Sequence, residues 1–267
     1  MSPYESHEYT GHVAPGPAGG EPATTGNNDP PCTDCHLARD CLPAMLHPAD
    51  IARLGPAVHA LPPLAPGRSL FENGITRGNV FVVRAGCLRT TIQETAGSEQ
   101  VVGFHMAGDV VGFGANGSRF RGERAVALER SSVCAIHVPT VHALASWLPG
   151  APGRLHALVE RAMSAAGEHA LVMGRRSAAQ RLALFLLTWS HRQRGAGFSD
   201  TDLDLPMRRE DLASYLGMVA ETNSRAFSRL QAEGLLVPSG RHGITLLDRT
   251  GLAAAADVDP DQDRAAA

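Results

Sequence analysis

Lysine is absent from this sequence: all 24 basic residues among its 267 are arginine. So complete a replacement points to a compositional bias of the genome rather than to selection at each site. The arginine count therefore carries no argument for nucleic acid, and neither does the net charge of −3. Also missing is any apolar run near the roughly 18 residues that a membrane span requires, and the opening MSPYESHEYT lacks the basic-then-apolar pattern of an export signal. A cytoplasmic protein with no membrane partner is expected. No nucleophile elbow, phosphate loop or paired histidine and carboxylate motif occurs, and the 12 histidines are scattered, which argues against an enzyme.

Cysteine is scarce, five in all, yet three crowd into PPCTDCHLARDCLP as Cys32, Cys35 and Cys41. In a reducing compartment that number argues for metal or redox chemistry rather than a disulfide framework, and an odd count suits four ligands and a spare. Soft thiolates hold iron-sulfur clusters and zinc, and a C-x2-C-x5-C loop curls so that three sulfurs face one point. The fourth ligand is either Cys134, in SSVCAIHV, or Cys87. Competing readings are buried thiols without metal, a four-cysteine zinc site, and covalent haem at Cys32 to His36, which spells C-x-x-C-H. Haem attachment of that kind belongs to exported proteins.

The 43% of hydrophobic residues can fill two modest cores. Residues 1–30, rich in Gly, Pro, Ser, Thr and Asn, cannot offset the entropy of ordering and are expected to be a disordered tail. Residues 251–267, a mixture of alanine and aspartate, are expected to fray as well. Between them, 31–150 reads as a cysteine loop and an antiparallel β-roll, because short apolar runs such as NVFVVRAG, CLRTTIQ and VCAIHV recur between glycine breaks. Residues 151–190 read as one long helix. Its stripe of Leu155, Val159, Ala162, Ala166, Ala170 and Met173, at spacings of three and four, suits pairing with a second copy. Packing onto its own roll is the alternative, and both can hold along different parts. Residues 191–250 read as a winged helix-turn-helix: a helix over Arg208 to Leu216, a turn at Gly217, a second helix over Ala220 to Glu233, and the wing GLLVPSGRHGITL. Five arginines and no acid between His169 and Ser199 make its approach locally basic. The fold class is α+β.

Glu221, Ser224 and Arg225 stand at i, i+3 and i+4, on one face at the N-terminal end of the second helix, the end that enters a major groove. Arginine pairs with guanine O6 and N7, glutamate accepts from cytosine N4, and serine serves either way. Arg208 and Arg209 are expected at phosphates, and Thr222 and Arg229 complete the DNA-contacting set. The competing account is an ordinary surface pair between Glu221 and Arg225.

The cysteine loop, VVRAGCLRTTIQETAGSEQVVGFHMAGDVVGF, the Cys134 strand and MRREDLASYLGMVAETNSRAFSRLQAEGLL together resemble the oxygen-sensing fumarate and nitrate reduction regulators, within the cyclic-AMP receptor protein superfamily of bacterial transcription factors. The resemblance spans about Pro31 to Leu247. It implies a cyclic-nucleotide-binding-like roll, a dimerisation helix and a 4Fe-4S cluster on Cys32, Cys35, Cys41 and Cys134, with Cys87 spare. It also implies a homodimer on double-stranded DNA at TTGAT and ATCAA half-sites, read by Glu221, Ser224 and Arg225, and RNA polymerase as a partner. The chain departs from the family pattern at Ala220 and Asn223, where bulkier apolar residues are usual. Polar His36 and Asp40 lie beside ligands, and Ala166 stands where the oxygen sensor carries an acid that opposes dimerisation. Phe113 and Gly114 occupy the turn where nucleotide binders place a ribose-holding glutamate, and Arg124 alone is a weak phosphate partner, so no cyclic nucleotide is expected.

Overall fold

A computed structural model describes residues 32–259, apart from 33–34, 40, 45, 74, 77, 94–98, 114–121, 147, 149 and 241. The expected tail over 1–30 and the departures at Asp40 and Gly114 lie outside the described residues, as do residues 260–267.

Two four-stranded antiparallel sheets form the roll. In one, β1 (Val58–Ala60), β8 (Ser132–His137), β3 (Asn79–Ala85) and β6 (Val110–Val111) lie in that order; in the other, β2 (Ser69–Phe71), β7 (Arg124–Ala127), β4 (Leu88–Gln93) and β5 (Glu99–His105) do. Successive side chains on a strand point to opposite faces, so β3, β6 and β8 of the first sheet each serve two cores. Phe81, Val83, Val133 and Ala135 point between the sheets, onto Phe71, Leu88 and Val111. Val80, Val82, Cys134 and Ile136 point the other way, onto a layer of Cys32, Leu42, Leu54, Leu155 and Leu158. That alternation aims Cys134 at the N-terminal cysteine loop.

After α1 (Pro48–Ile51) and α2 (Val138–Ala143), the helical stretch 151–190 proves to be two helices, α3 (Gly150–Met173) and α4 (Ala178–Gly195). The single helix expected there is interrupted because Ser177 caps α4: its hydroxyl accepts from the Gln180 amide while the Gln180 side chain accepts from the Ser177 N–H. The two helices also differ in environment. The first half of α3 buries Leu155 and Leu158 against the roll, whereas its second half leaves Met163 and Leu171 69% and 66% exposed. In α4, Leu182, Leu186 and Trp189 are fully buried, so it belongs to the C-terminal core and not to a helix free to pair.

That core is completed by β9 (Asp202–Asp204), α5 (Arg209–Tyr215), α6 (Ala220–Ala232), β10 (Leu236–Ser239), β11 (Gly243–Leu246) and α7 (Arg249–Ala255). The wing is a three-stranded sheet in the order β10-β11-β9. Of the stretch expected to fray, 251–267, the described part up to residue 259 begins with a packed helix: Asp248 caps α7 through the Gly251 amide at 2.8 Å, and Leu252, Ala253 and Ala256 are buried beside α4. Small alanines there allow close packing. No helix among the described residues is long and apolar enough to cross a membrane.

Candidate nucleic-acid interface and metal centre

The turn between α5 and α6 requires glycine twice over. Gly217 has φ +61°, and a Cβ there would lie 2.5 Å from the Met173 methyl at the end of α3. Met173, expected in a dimer stripe, thus packs on its own helix-turn-helix. Beyond the turn, Asn223, Ala226, Phe227 and Leu230 of α6 are buried with Leu212 and Leu216, while Glu221, Ser224, Arg225, Ser228 and Arg229 form a continuous exposed face. No ion pair joins Glu221 to Arg225 among the described residues; Arg225 donates instead to the Thr222 hydroxyl at 3.1 Å. The face is therefore open rather than closed on itself.

The flanking arginines are less free than the sequence suggests. Arg229 pairs with Glu233 at 2.8 Å, and Arg208 lies 3.5 Å from Asp211. Arg209 lies over the Phe227 ring at 3.5 Å from its centre, and the loss of hydration lowers its pKa. Of the five arginines between His169 and Ser199, Arg181 donates to the carbonyls of Arg175, Leu216 and Gly217, and Arg194 lies 3.7 Å from Asp200. Arg192 bonds the Phe104 carbonyl at 3.2 Å, pairs with Asp109 and lies over Trp189. Much of this basic stretch serves internal bonding.

Those bonds belong to a docking surface that sequence reasoning missed. The first helix of the helix-turn-helix lies on β5 of the roll. Arg89 pairs with the buried Asp211, the Val101 amide donates to the Ser214 hydroxyl at 3.0 Å, and the Gln100 amide donates to the Ser214 carbonyl. Phe104, Phe185, Trp189 and Tyr215 pack edge to face and stacked beneath. His169 of α3 stacks on Tyr215 at 3.9 Å and bonds its carbonyl at 2.8 Å; burial lowers the imidazole's pKa and pushes the phenol up to about 12. Contacts spanning more than a hundred residues leave no local pattern to read.

The five cysteines divide four to one. Cys32 and Cys134 are buried in the layer beneath the roll, and Cys35 and Cys41 are half-buried beside them. Burial pushes the thiols of Cys32 and Cys134 up to about 12, and in both cases the other cysteines of the loop add to the rise. The four sulfurs are thus neighbours. Cys87 lies in a different core, with Phe104 and Leu182, where burial raises its thiol strongly. Among the described residues no group of three or more histidine, cysteine or acidic side chains is already drawn together at metal-binding spacing. The donor set nevertheless suits a thiophilic centre: among the described residues, the thiols of Cys32 and Cys134 are influenced by those of Cys35 and Cys41 and by no carboxylate.

Of the residues expected at a dimer contact, Leu155 is buried in the chain's own roll, while Ala166 and Ala170 are exposed on α3, with Val159 and Ala162 partly covered. Phe113 is half-buried, and Arg124 is engaged by Glu72 at 3.3 Å and Glu99 at 3.8 Å.

Comparison with known proteins places both halves. The Crp-like helix-turn-helix domain matches residues 180–255, and the cyclic nucleotide-binding domain matches 62–146. The chain is 36% identical over 225 residues to the transcriptional activator protein FnrA of Stutzerimonas stutzeri, spanning 84% of this chain and 92% of that one. It is 32% identical over 222 residues to the fumarate and nitrate reduction regulatory protein of Escherichia coli, spanning 83% and 88%. Among solved structures, FixK2 from Bradyrhizobium japonicum superposes with a TM-score of 0.64 at 27% identity, over 74% of this chain and 96% of that one. A Crp/Fnr-family regulator from Eubacterium rectale, at 20% identity and a TM-score of 0.58 over 83% and 98%, shares the fold.

Proposed function

The chain belongs to the fumarate and nitrate reduction regulators of the Crp type, transcription regulators rather than enzymes, and on that premise we propose that it senses oxygen or redox state through a 4Fe-4S cluster held by Cys32, Cys35, Cys41 and Cys134. The observation that carries this reading is the meeting of Cys134, aimed outward by the alternation of β8, with three cysteines of a loop about a hundred residues upstream, while Cys87 faces another core. A cluster bound there would supply oxygen-labile redox chemistry. The chain's own part is to hold four thiolates, bury two of them under Leu42 and Leu54, and tie the N-terminal loop to the roll.

In the same reading α6 enters the major groove of double-stranded DNA at a TTGAT/ATCAA palindrome. The open face of Glu221, Ser224 and Arg225 supplies base contacts, and Arg208, Arg209, Thr222 and Arg229 flank it. A homodimer presents two such helices one DNA turn apart through the exposed second half of α3, where Met163, Ala166 and Ala170 are uncovered. The relatives are named transcriptional activators, and in this reading the chain is likewise an activator, cytoplasmic and working with RNA polymerase. Cyclic nucleotide has no place in this account, since Arg124 is held by two glutamates.

The test is an absorption spectrum with iron and sulfide analysis on protein purified without oxygen. Brown protein that bleaches in air is expected, with iron lost on changing any of the four cysteines to serine and kept in Cys87→Ser. Colourless protein containing zinc would replace the cluster by a zinc site in the same regulator. Iron retained in Cys134→Ser and lost in Cys87→Ser would reverse the ligand assignment.

A further inference from the structure

Resting on the four-cysteine reading, we propose that Arg84 is the counter-charge of the thiolate centre, a positioning residue that favours metal binding and sets the potential of a bound cluster. It lies on β3, where Val82 stands opposite Cys134 and the ladder shifts between Val83 and Ala85, leaving Arg84 as the extra residue of a bulge. A bulge re-aims the residue it inserts. Counted along its own strand, Arg84 follows Val80 and Val82 on the face turned toward the cysteine loop, while Phe81 and Val83 turn into the roll. Its positive charge lies close enough to favour the thiolate forms of both Cys134 and Cys32.

Among the described residues Arg84 has no carboxylate partner. Its Nε is enclosed with no acceptor, and no ion pair among the described residues involves it. A partly buried cation without an anion is costly, and neutral thiols do not compensate it. Four thiolates on zinc, or on a cubane of two positive charges, leave two net negative charges at the spot Arg84 faces. The arrangement is therefore complete only when the cysteines are deprotonated on a metal.

The experiment measures cobalt(II) affinity, followed by thiolate-to-metal charge-transfer absorption at fixed pH, and the reduction potential of the anaerobically reconstituted cluster. These are compared in the unmodified chain, Arg84→Gln, Arg84→Lys and, as a control, Arg53→Gln, whose arginine is already paired with Asp50 at 3.1 Å. Loss of the charge in Arg84→Gln is expected to weaken cobalt binding about tenfold and to lower the potential by a similar factor, about 59 mV for one electron. Arg84→Lys and Arg53→Gln should stay near the unmodified values. Unchanged affinity and potential in Arg84→Gln would overturn the proposal while leaving the four-cysteine centre standing, as would an equal loss in Arg84→Lys. Failure of the unmodified chain to take up cobalt or iron would overturn both.

Discussion

Asn223 turns a polar side chain into the core of the helix-turn-helix, fully buried, with its amide donating to the Arg209 carbonyl at 3.1 Å and its carbonyl oxygen unpartnered. A buried acceptor left without a donor costs about 1 to 3 kcal/mol, more than the single bond returns. The sequence marks this residue as unusual for its family, and the structure gives the reason it matters. Asn223→Ile is expected to stabilise the C-terminal domain by about 1 kcal/mol in thermal unfolding; a lower melting temperature would show that the amide bond is worth more than the orphaned oxygen. His105 offers a second test at this scale. Its ring bonds Thr90 at 2.9 Å, and burial holds its pKa down at about 4 against an ordinary 6.5, with Arg192 lowering it and Asp109 opposing. Between those values the unfolded chain binds a proton that the folded chain refuses, so stability is complete above about pH 6.5 and falls as pH drops toward 4. The loss attributable to this ring is about 3 kcal/mol, and His105→Gln should remove it from denaturant titrations run across that window. Equal slopes in the two proteins would contradict the assignment.

At the scale of elements, the sequence made plain what local pattern controls. The strands of the roll stand between glycine turns, the recognition helix shows its split of exposed and buried faces, and Gly217 marks the turn. The break between α3 and α4 was written in the sequence too, as the capping box of Ser177 and Gln180, but apolar spacing continues across it and conceals the interruption. The final helix was hidden because alanine-rich sequence looks the same whether it frays or packs closely; only Leu252 and the buried Ala253 and Ala256 distinguish it. The docking of α5 on β5 was illegible, since Arg89 and Asp211 lie 122 residues apart. That contact predicts its own test. Asp211 is buried, with the exposed Arg208 as its other cation, so Arg89→Leu should weaken the docking by about 2 kcal/mol. Amide exchange should then quicken in α5 while β3 and β8 keep their protection. Faster exchange confined to the roll would argue against the docking role.

For the whole molecule, the sequence pattern showed which three cysteines crowd together, whereas the spacing left Cys87 and Cys134 open as a fourth; the structure puts Cys134 of β8 in the core layer of Cys32, and Cys87, between β3 and β4, in another. The dimer stripe was legible in part. Leu155 is buried at one end and the Met173 methyl lies against Gly217 at the other, leaving Ala166 and Ala170 uncovered between them, with the exposed Met163 beside the stripe. No charge stands among these three, so a metal-free dimer is expected to persist in part at micromolar concentration. Ala166→Asp should make pairing depend strongly on the bound centre, because the charge must be desolvated when two helices meet. Sedimentation of metal-free protein checks this, and a clean monomer in the unmodified chain would contradict it. The central claim, that the four-cysteine centre governs DNA binding, is tested most directly by fluorescence anisotropy of a duplex carrying the TTGAT/ATCAA palindrome, titrated without oxygen and again after exposure to air. The account predicts tighter binding without oxygen, the same response in Cys87→Ser, and a Cys134→Ser protein fixed at the weaker, air-exposed affinity; identical affinities for the unmodified chain under both conditions would contradict it.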